Sequence, residues 1–225
     1  MSEVVVEPIA RKVLSENDRI AAGLRERFRE RNILCLNLIS SPGSGKTTLL
    51  EKTLASFAPG ERVAVLTGDI QTDNDARRLA AYGFPVRQIT TAGACHLDAR
   101  MVERALEEFD LAQISTLLIE NVGNLICPTS YDLGEGAKVV VLSVTECEDK
   151  PLKYPGIFHK AELVILSKTD LLPHVPFDLA AARANVQRVH PDVEIIELSA
   201  ATGAGLEAWL GWLRKRQEIR RGNPR

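Results

Sequence analysis

The stretch 40-SSPGSGKTT-48 decides the fold, because it follows a short apolar segment and opens a segment with helical character. Its end, Gly45-Lys46-Thr47, satisfies the close of the phosphate-binding pattern G-x-x-x-x-G-K-[ST]. Ser40 stands where that pattern has its first glycine, which is a departure from it. The alternative is a glycine-rich turn with an incidental lysine. The apolar strand before the loop and the helix after it favour a phosphate site.

The residue types of this loop suit the phosphates of a nucleotide. Glycines let backbone N–H groups turn inward, and the helix that follows adds its positive N-terminus. A lysine reaches the β and γ oxygens, and the threonine after it places its hydroxyl on Mg²⁺. The predicted phosphate-binding residues are Gly43, Ser44, Gly45, Lys46, Thr47 and Thr48.

Apolar runs of strand length alternate with helical patterns along the chain. Uniformly apolar strands between helices are typical of a parallel sheet covered on both faces. We therefore predict an α/β fold, a three-layer P-loop NTPase with a mostly parallel sheet. The predicted strands are 33–40, 62–69, 85–91 (the weakest), 115–123, 138–146, 162–170 and 194–200. The predicted helices are 46–57, 73–82, 95–109, 178–190 and 205–221.

One or two further helices are predicted to precede the sheet, from about Val6 to Arg31. Their apolar stripe is predicted to consist of Ile9, Val13, Ile20 and Leu24. The resulting domain prediction is a helical extension at 1–32, a P-loop domain at 33–221, and a frayed tail at 222–225.

Composition excludes several classes of protein. The 225 residues carry a net charge of −2, which favours neither nucleic acid nor an anionic membrane as a partner. No apolar run approaches the roughly 20 residues that cross a bilayer, and the start MSEVVVEPIARK does not resemble a signal peptide. We expect a cytoplasmic chain, whose four cysteines are free thiols or metal ligands rather than disulfides.

Two later motifs point to guanine. LSKTDLL at 166–172 resembles the [NT]-K-x-D motif of GTPases, with Ser167 where Asn is usual. Asp170 can accept the N1–H and N2–H₂ donors of guanine, which adenine lacks, while the Lys168 stem covers the base. The alternative is a turn with solvated charges. LSAATGAG at 198–205 resembles the loop that contacts guanine O6, and places Ser199, Ala200 and Ala201 there.

Carboxylates for Mg²⁺ and hydrolysis are predicted at the ends of two intervening strands, as Asp69 and Glu120. Asp69 is equally suited to cap a helix, although Asp73 is the better cap candidate. Gly123 is predicted to approach the γ-phosphate, which makes 120–127 a nucleotide-sensing loop. No glutamine follows it to orient water, so hydrolysis should be slow. The predicted catalytic residues are Lys46, Thr47, Asp69, Glu120 and Gly123, and the Mg²⁺ ligands are Thr47, Asp69 and Glu120.

Six segments together resemble a known family: SSPGSGKTT, GDIQTDNDARR, GACHLDA, ENVGNLICP, VTECEDKPLKYP and LSKTDLLP. The chain is similar, over about residues 30–215, to the nickel-incorporation GTPases of [NiFe]-hydrogenase maturation, in the SIMIBI class. The resemblance implies GTP–Mg²⁺ binding, slow hydrolysis to GDP and a homodimer when GTP is bound. It also implies nickel delivery to the hydrogenase large subunit with a small zinc-containing partner, which would dock on the N-terminal helical region.

The resemblance further implies a metal site for Ni²⁺ or Zn²⁺ made of Cys95, His96 and Cys127. Thiolate and imidazole suit these ions, and three protein ligands leave a position that a second protomer can share. The pair Cys95–His96 stands at the start of a predicted helix. Taken alone, it is as consistent with a buried cysteine as with a ligand. Cys35 is predicted to be a core residue, and Cys147 receives no ligand role.

Two departures from the family leave nickel storage unsupported. Residues 1–30 contain no cysteine, and the chain has four scattered histidines rather than a histidine-rich tract. Because Cys127 lies just past the predicted γ-phosphate loop, hydrolysis could move one metal ligand relative to the other two. This is a hypothesis, and similar metal affinity with GDP and with a GTP analogue would contradict it.

Three alternatives stay open at this point. A urease-type nickel GTPase typically has Cys-Pro-His near NLICP, whereas Thr129 follows Cys127-Pro128 here. A metabolic P-loop kinase would prefer ATP and would lack the guanine-reading Asp170. A metal-buffering protein with a vestigial nucleotide site would keep its cellular role after Lys46→Ala.

Overall fold

The computed structural model describes residues 9–222; the predicted start of the first helix at Val6 and most of the predicted tail lie outside this range. The helices are α1 Ile9–Glu30, α2 Lys46–Ala55, α3 Asn74–Ala80, α4 Ala99–Leu106, α5 Lys150–Lys153, α6 Pro155–His159, α7 Leu179–Val189 and α8 Leu206–Gly222. The strands are β1 Leu34–Ser40, β2 Val63–Asp69, β3 Val86–Thr90, β4 Thr116–Glu120, β5 Ala137–Ser143, β6 Leu163–Ser167 and β7 Glu194–Leu198. Short 3₁₀ helices lie at Leu111–Gln113, Cys127–Thr129 and Thr169–His174.

The strands form one sheet of seven within the described residues, in the order β3-β2-β4-β1-β5-β6-β7. Every pairing is parallel. All carboxyl ends therefore lie at one edge, and the order changes direction beside β1, where α/β sheets bind their ligands. The predicted fold class is confirmed, with a sheet that is wholly parallel.

Alternate residues of each strand feed two separate layers of core. Leu36 and Leu38 of β1 face α2 and α8, and pack with Trp209. On the opposite face Cys35 packs with residues of α1 and α4. Cys35 is thus the core residue that the sequence predicts, and burial raises its thiol pKa well above the usual value. Helices α6 and α7 cover the rest of that face.

The N-terminal segment is one helix over the part that the structure describes, and its predicted stripe is only partly right. Ile20 and Leu24 are buried as predicted, but Val13 is half exposed. The contact with the sheet instead continues through Phe28. Ile9 lies where side chains are not described. Helix α1 packs on α4 and on the second layer of the core. The predicted domain boundary between residues 32 and 33 stays a prediction.

Several boundaries near the site differ from the prediction. Strands β4, β5 and β6 end at Glu120, Ser143 and Ser167, three residues before their predicted ends, because the chain turns into loops there. The helix predicted at 95–109 begins at Ala99, because the side chain of Asp98 caps it by accepting from the Met101 amide. Cys95 and His96 therefore lie in the preceding loop, not in a helix. The short helices α5 and α6 were not predicted, since two prolines interrupt the helical pattern there. No helix among residues 9–222 is long and apolar enough to cross a membrane.

One glycine fixes the loop after β7 that the sequence assigns to the base. Gly205 has a φ of +73°, and a Cβ there would overlap the carbonyl oxygen of Glu197. We expect Gly205→Ala to lower the free energy of unfolding by about 2–4 kcal/mol. Gly211→Ala, on an open face of α8, should raise it by about 0.5–1 kcal/mol. Urea unfolding followed by tryptophan fluorescence measures the free energy of unfolding of both variants. Equal changes in the two variants would contradict the backbone strain expected in Gly205→Ala.

Candidate nucleotide and metal site

The phosphate loop is already folded around the N-terminus of α2. Gly43 and Gly45 have φ angles of 73° and 95°, and Gly45 is the N-cap of the helix. Nζ of Lys46 donates to Oγ of Ser40 at 2.7 Å, and burial of this ammonium group lowers its pKa. Ser40 thus has a role as an acceptor at the position where the pattern has a glycine. The loop presents backbone N–H groups and one buried cation to an anion.

A carboxylate from the loop after β5 braces the phosphate loop. Glu146 accepts from Oγ of Ser44 at 2.7 Å and from Nζ of Lys150 at 2.6 Å. Lys150 also donates to Oγ of Ser41 at 2.7 Å. These contacts were not predicted from the sequence, although Glu146 and Lys150 stand four residues apart in TECEDK, a spacing typical of such an ion pair.

The predicted Mg²⁺ ligands Thr47 and Glu120 lie together. The Thr47 hydroxyl donates to Oε1 of Glu120 at 2.6 Å. Oε2 of Glu120 is buried and has no hydrogen-bond partner among the described residues. Burial raises the pKa of this carboxyl group. A buried carboxylate oxygen without a partner, beside a hydroxyl, fits a hard divalent cation such as Mg²⁺.

Asp69 and Gly123 line the same cleft. Oδ1 of Asp69 accepts from the Gln71 and Thr72 amides at 2.8 and 2.7 Å, so this residue shapes the turn before α3. The N-cap of α3 is Asp73. Gly123 lies against the phosphate loop, where an added Cβ would come within 2.9 Å of the Pro42 Cα. The helix-cap role considered for Asp69 is therefore wrong, because Asp73 holds the cap position, and its Mg²⁺ role stays a prediction.

The two base-reading motifs meet at one point. Oγ of Ser199 donates to Oδ1 of Asp170, which joins the loop after β7 to the loop after β6. Lys168 has a φ of 60°, and its Nζ donates to the Gly43 carbonyl at 2.6 Å. Its stem thereby lies over Gly45. Lys168 thus contacts the phosphate loop from the predicted base pocket.

The cleft has two adjoining cavities with different linings. A cavity of about 520 Å³ has a lining of mixed polarity and contains Gly43, Ser44, Gly45, Lys46, Thr47, Thr48, Asp69, Glu120, Gly123 and Lys168. A cavity of about 270 Å³ has a mainly apolar lining and contains Ser44, Gly45, Thr48, Lys168, Asp170, Ala200 and Ala201. Phosphates and a metal suit the first, and a flat base suits the second.

The three predicted ligands for a transition metal also lie together. Ligand atoms of Cys95, His96 and Cys127 are within 4.8 Å of one another. The two Sγ atoms are 2.8 Å apart, and Cys95 Sγ is 3.8 Å from His96 Nδ1. Two thiolates on a tetrahedral Zn²⁺ would lie about 3.8 Å apart. The two sulfur atoms would therefore have to move apart by about 1 Å for both to bind one ion. The donor set fits Ni²⁺ or Zn²⁺.

The surroundings of His96 keep its imidazole neutral and oriented. Partial burial lowers its pKa, which favours the form that binds metals. Its ring lies on Tyr131, with centroids 3.9 Å apart. Sequence reasoning missed Tyr131, because the stacking joins residues far apart in the chain. Cys147 is exposed in the loop after β5 and does not belong to the described ligand cluster.

We expect Glu120→Gln to weaken the apparent Mg²⁺ affinity of the nucleotide complex about 10- to 100-fold, because a neutral amide replaces the buried carboxylate. Mg²⁺ titration of a bound fluorescent nucleotide measures this change. Glu51→Gln is the matched control, since Glu51 lies on the neighbouring helix and pairs with Arg78 at 2.8 Å. Equal Mg²⁺ affinity in the two variants would remove Glu120 from the cation site.

The chain is similar to known proteins over most of its length. The family profile described as CobW/HypB/UreG, nucleotide-binding domain, matches residues 34–197. A hydrogenase maturation factor HypB from Azotobacter chroococcum mcd 1 is 50% identical over 220 residues, which cover 98% of this chain and 72% of that protein. A hydrogenase/urease maturation factor HypB from Helicobacter hepaticus is 46% identical over 191 residues, which cover 83% of this chain and 78% of that protein.

A solved structure has the same fold. The crystal structure of HypB from Helicobacter pylori in complex with nickel matches with a TM-score of 0.85 and 41% identity, covering 91% of this chain and 96% of that one. The resemblance inferred from the motifs is confirmed. The chain belongs to the CobW/HypB/UreG family and, within it, to the hydrogenase maturation factors named HypB.

Proposed function

We propose that this chain is a GTP-hydrolysing metallochaperone that assists nickel insertion into the [NiFe]-hydrogenase large subunit. The observation that carries the proposal is that one short segment, 120–127, joins Glu120 of the nucleotide cleft at the end of β4 to Cys127 of the metal cluster. A relative of the same fold is a HypB solved with nickel. A nucleotide-dependent movement of this loop would change the geometry of the metal ligands.

The chemistry assigned to the chain's residues is positioning and charge stabilisation. Lys46 and the α2 N-terminus neutralise the charge that builds up on the phosphates, and Thr47 and Glu120 hold Mg²⁺, with Asp69 nearby. Asp170 and the Lys168 stem select guanine, and Ser199, which is buried, positions Asp170 by donating to its carboxylate. Since Asn124 follows Gly123 and no glutamine stands there to orient water, we expect slow intrinsic hydrolysis to GDP and phosphate.

The metal ion is cargo in this proposal. Cys95, His96 and Cys127 leave a coordination position open, and a second protomer or a water molecule can fill it. Ile126, next to Cys127, is 62% exposed and would be covered by a second protomer. The proposed partners are a second copy in the GTP state, a small zinc-containing maturation protein and the hydrogenase large subunit. Urease delivery is the second candidate, because a relative is named for both enzymes.

The test is a Ni²⁺ and Zn²⁺ titration of wild type and Cys95→Ala, with GDP or a non-hydrolysable GTP analogue, while mass is measured in parallel. We expect the variant to lose the bound ion and the wild type to dimerise with the analogue. Unchanged stoichiometry in the variant would overturn the metal site. Preference for ATP, or phosphate transfer to a metabolite, would overturn the GTPase assignment in favour of a kinase.

A further inference from the structure

A single buried side chain contacts two segments: residues 120–123, beside the nucleotide cleft, and residues 95–97, which include the metal ligands Cys95 and His96. Asn121 follows Glu120 at the end of β4 and is 2% exposed. Its Oδ1 accepts from the Leu97 amide at 3.1 Å and from the Val122 amide at 2.9 Å. One oxygen atom therefore holds the backbone next to His96 and the backbone next to Gly123.

The amide of Asn121 is fixed from its other end. Its Nδ2 donates to Oδ1 of Asn37 at 3.2 Å, and Nδ2 of Asn37 donates to Oε1 of Glu135 at 3.2 Å. Asn37 lies in β1 and is fully buried. Because a buried polar group that loses its partner is destabilising, the shared oxygen has little freedom to turn away from either amide.

The side chain of Leu97 adds a second contact with the nucleotide cleft. It is fully buried and packs so closely on Gly68 that an added Cβ would come within 2.8 Å of Leu97 Cδ2. Gly68 precedes Asp69, which lines the cleft. Leu97 thus contacts the ends of both β2 and β4. A shift of either strand end would therefore move the neighbouring backbone of Cys95 and His96.

We propose that Asn121 is a positioning residue that couples the two sites, setting the place of Cys95 and His96 according to the state of residues 120–123. The coupling rests on the proposed function, since it requires the chain to bind both nucleotide and metal. A shift of the Val122 backbone on γ-phosphate binding would either carry Leu97 with it or break one of the two bonds to Oδ1. Cys127 stands farther along the same loop, so the ligands would then move relative to one another.

The chain provides a matched control in Asn17 of α1. Its Oδ1 accepts from the Ala99 amide at 2.9 Å, and its Nδ2 donates to the Asp132 carbonyl at 2.9 Å. Asn17 is buried and, like Asn121, holds the segment that follows His96. Neither of these hydrogen bonds of Asn17 involves residues 120–123. Asn17→Ala thus removes a bond of the same kind without removing the proposed connection.

The experiment compares the Zn²⁺ dissociation constants measured with Mg–GDP and with a non-hydrolysable Mg–GTP analogue. We expect the two constants in wild type to differ about fivefold or more. Asn121→Ala should bring them within about twofold of each other while it still binds both ligands, and Asn17→Ala should keep the wild-type ratio. A wild-type ratio retained in Asn121→Ala, or equally lost in Asn17→Ala, would overturn the assignment.

A second measurement needs no variant. In metal-free wild type, the GTP analogue should change hydrogen exchange at the Leu97 amide relative to GDP, and leave exchange at the Ala99 amide unchanged. Equal exchange at Leu97 in both states overturns the coupling, and leaves the proposed function standing if both nucleotides bind. Failure of wild type to bind guanine nucleotide or metal at all is a different result, which overturns the proposed function as well.

Discussion

Asp170→Asn is expected to lower GTP affinity by about three orders of magnitude and to make xanthosine triphosphate the preferred nucleotide. The carboxylate can accept both the N1–H and N2–H₂ groups of guanine, whereas an amide offers one acceptor and one donor. Xanthine has an oxygen at position 2, which the new N–H₂ group would satisfy. The affinities can be measured by displacement of a fluorescent guanine nucleotide.

The control for this change is Asp178→Asn. Asp178 caps α7 by accepting from the Ala181 amide at 2.9 Å, and asparagine is an equally good cap. The same loss of charge outside the cleft should leave GTP affinity unchanged. Unaltered GTP affinity in Asp170→Asn, or no gain for the xanthine nucleotide, would remove Asp170 from the base pocket.

Cys127→Ser is expected to weaken Ni²⁺ and Zn²⁺ binding by more than about 100-fold. A hydroxyl is a poor ligand for these ions, and two remaining donors cannot hold an ion as three do. Competition with a coloured chelator measures the affinity, and circular dichroism checks that the variant is folded. GTP hydrolysis without added metal cargo should persist, because Cys127 does not line the nucleotide cavities.

Cys147→Ser is the matched control, since this cysteine is exposed and lies outside the described ligand cluster. Its metal affinity should equal that of the wild type. If the two variants bind metal equally well, the three-ligand site is wrong, and if only Cys147→Ser loses binding, the thiol ligand lies in the loop after β5.

The sequence predicts the inner strands of the sheet well because they are buried on both sides, whereas the edge strands β3 and β7 are partly exposed. A strand such as β1, in which every residue is buried, appears as an unbroken apolar run that ends at a glycine-rich loop. The phosphate loop then identifies the edge of the sheet where the ligand binds. Asp170 and Ser199 follow from the same rule, since loops that are distant in sequence meet at the carboxyl edge of a parallel sheet.

Other features depend on contacts that no local pattern contains. Val13 fits a helical stripe, yet it is half exposed, while Phe28 on the same helix is buried. The start of α4 depends on the cap at Asp98, so Cys95 and His96 lie in a loop outside the predicted helix. Asn121 is an ordinary polar residue in the sequence. Its partners, and the contact of Glu146 with Ser44, become known only when the loops after β1, β3, β4 and β5 are brought together.

The brace formed by Glu146 and Lys150 has a kinetic consequence for the phosphate loop. Two side chains hold Ser41 and Ser44 in place through hydrogen bonds within the protein. A receptor whose binding-competent state is dominant binds without a conformational penalty, and its association rate is set by diffusion and orientation. We therefore expect nucleotide dissociation and hydrolysis to set the lifetime of each nucleotide state.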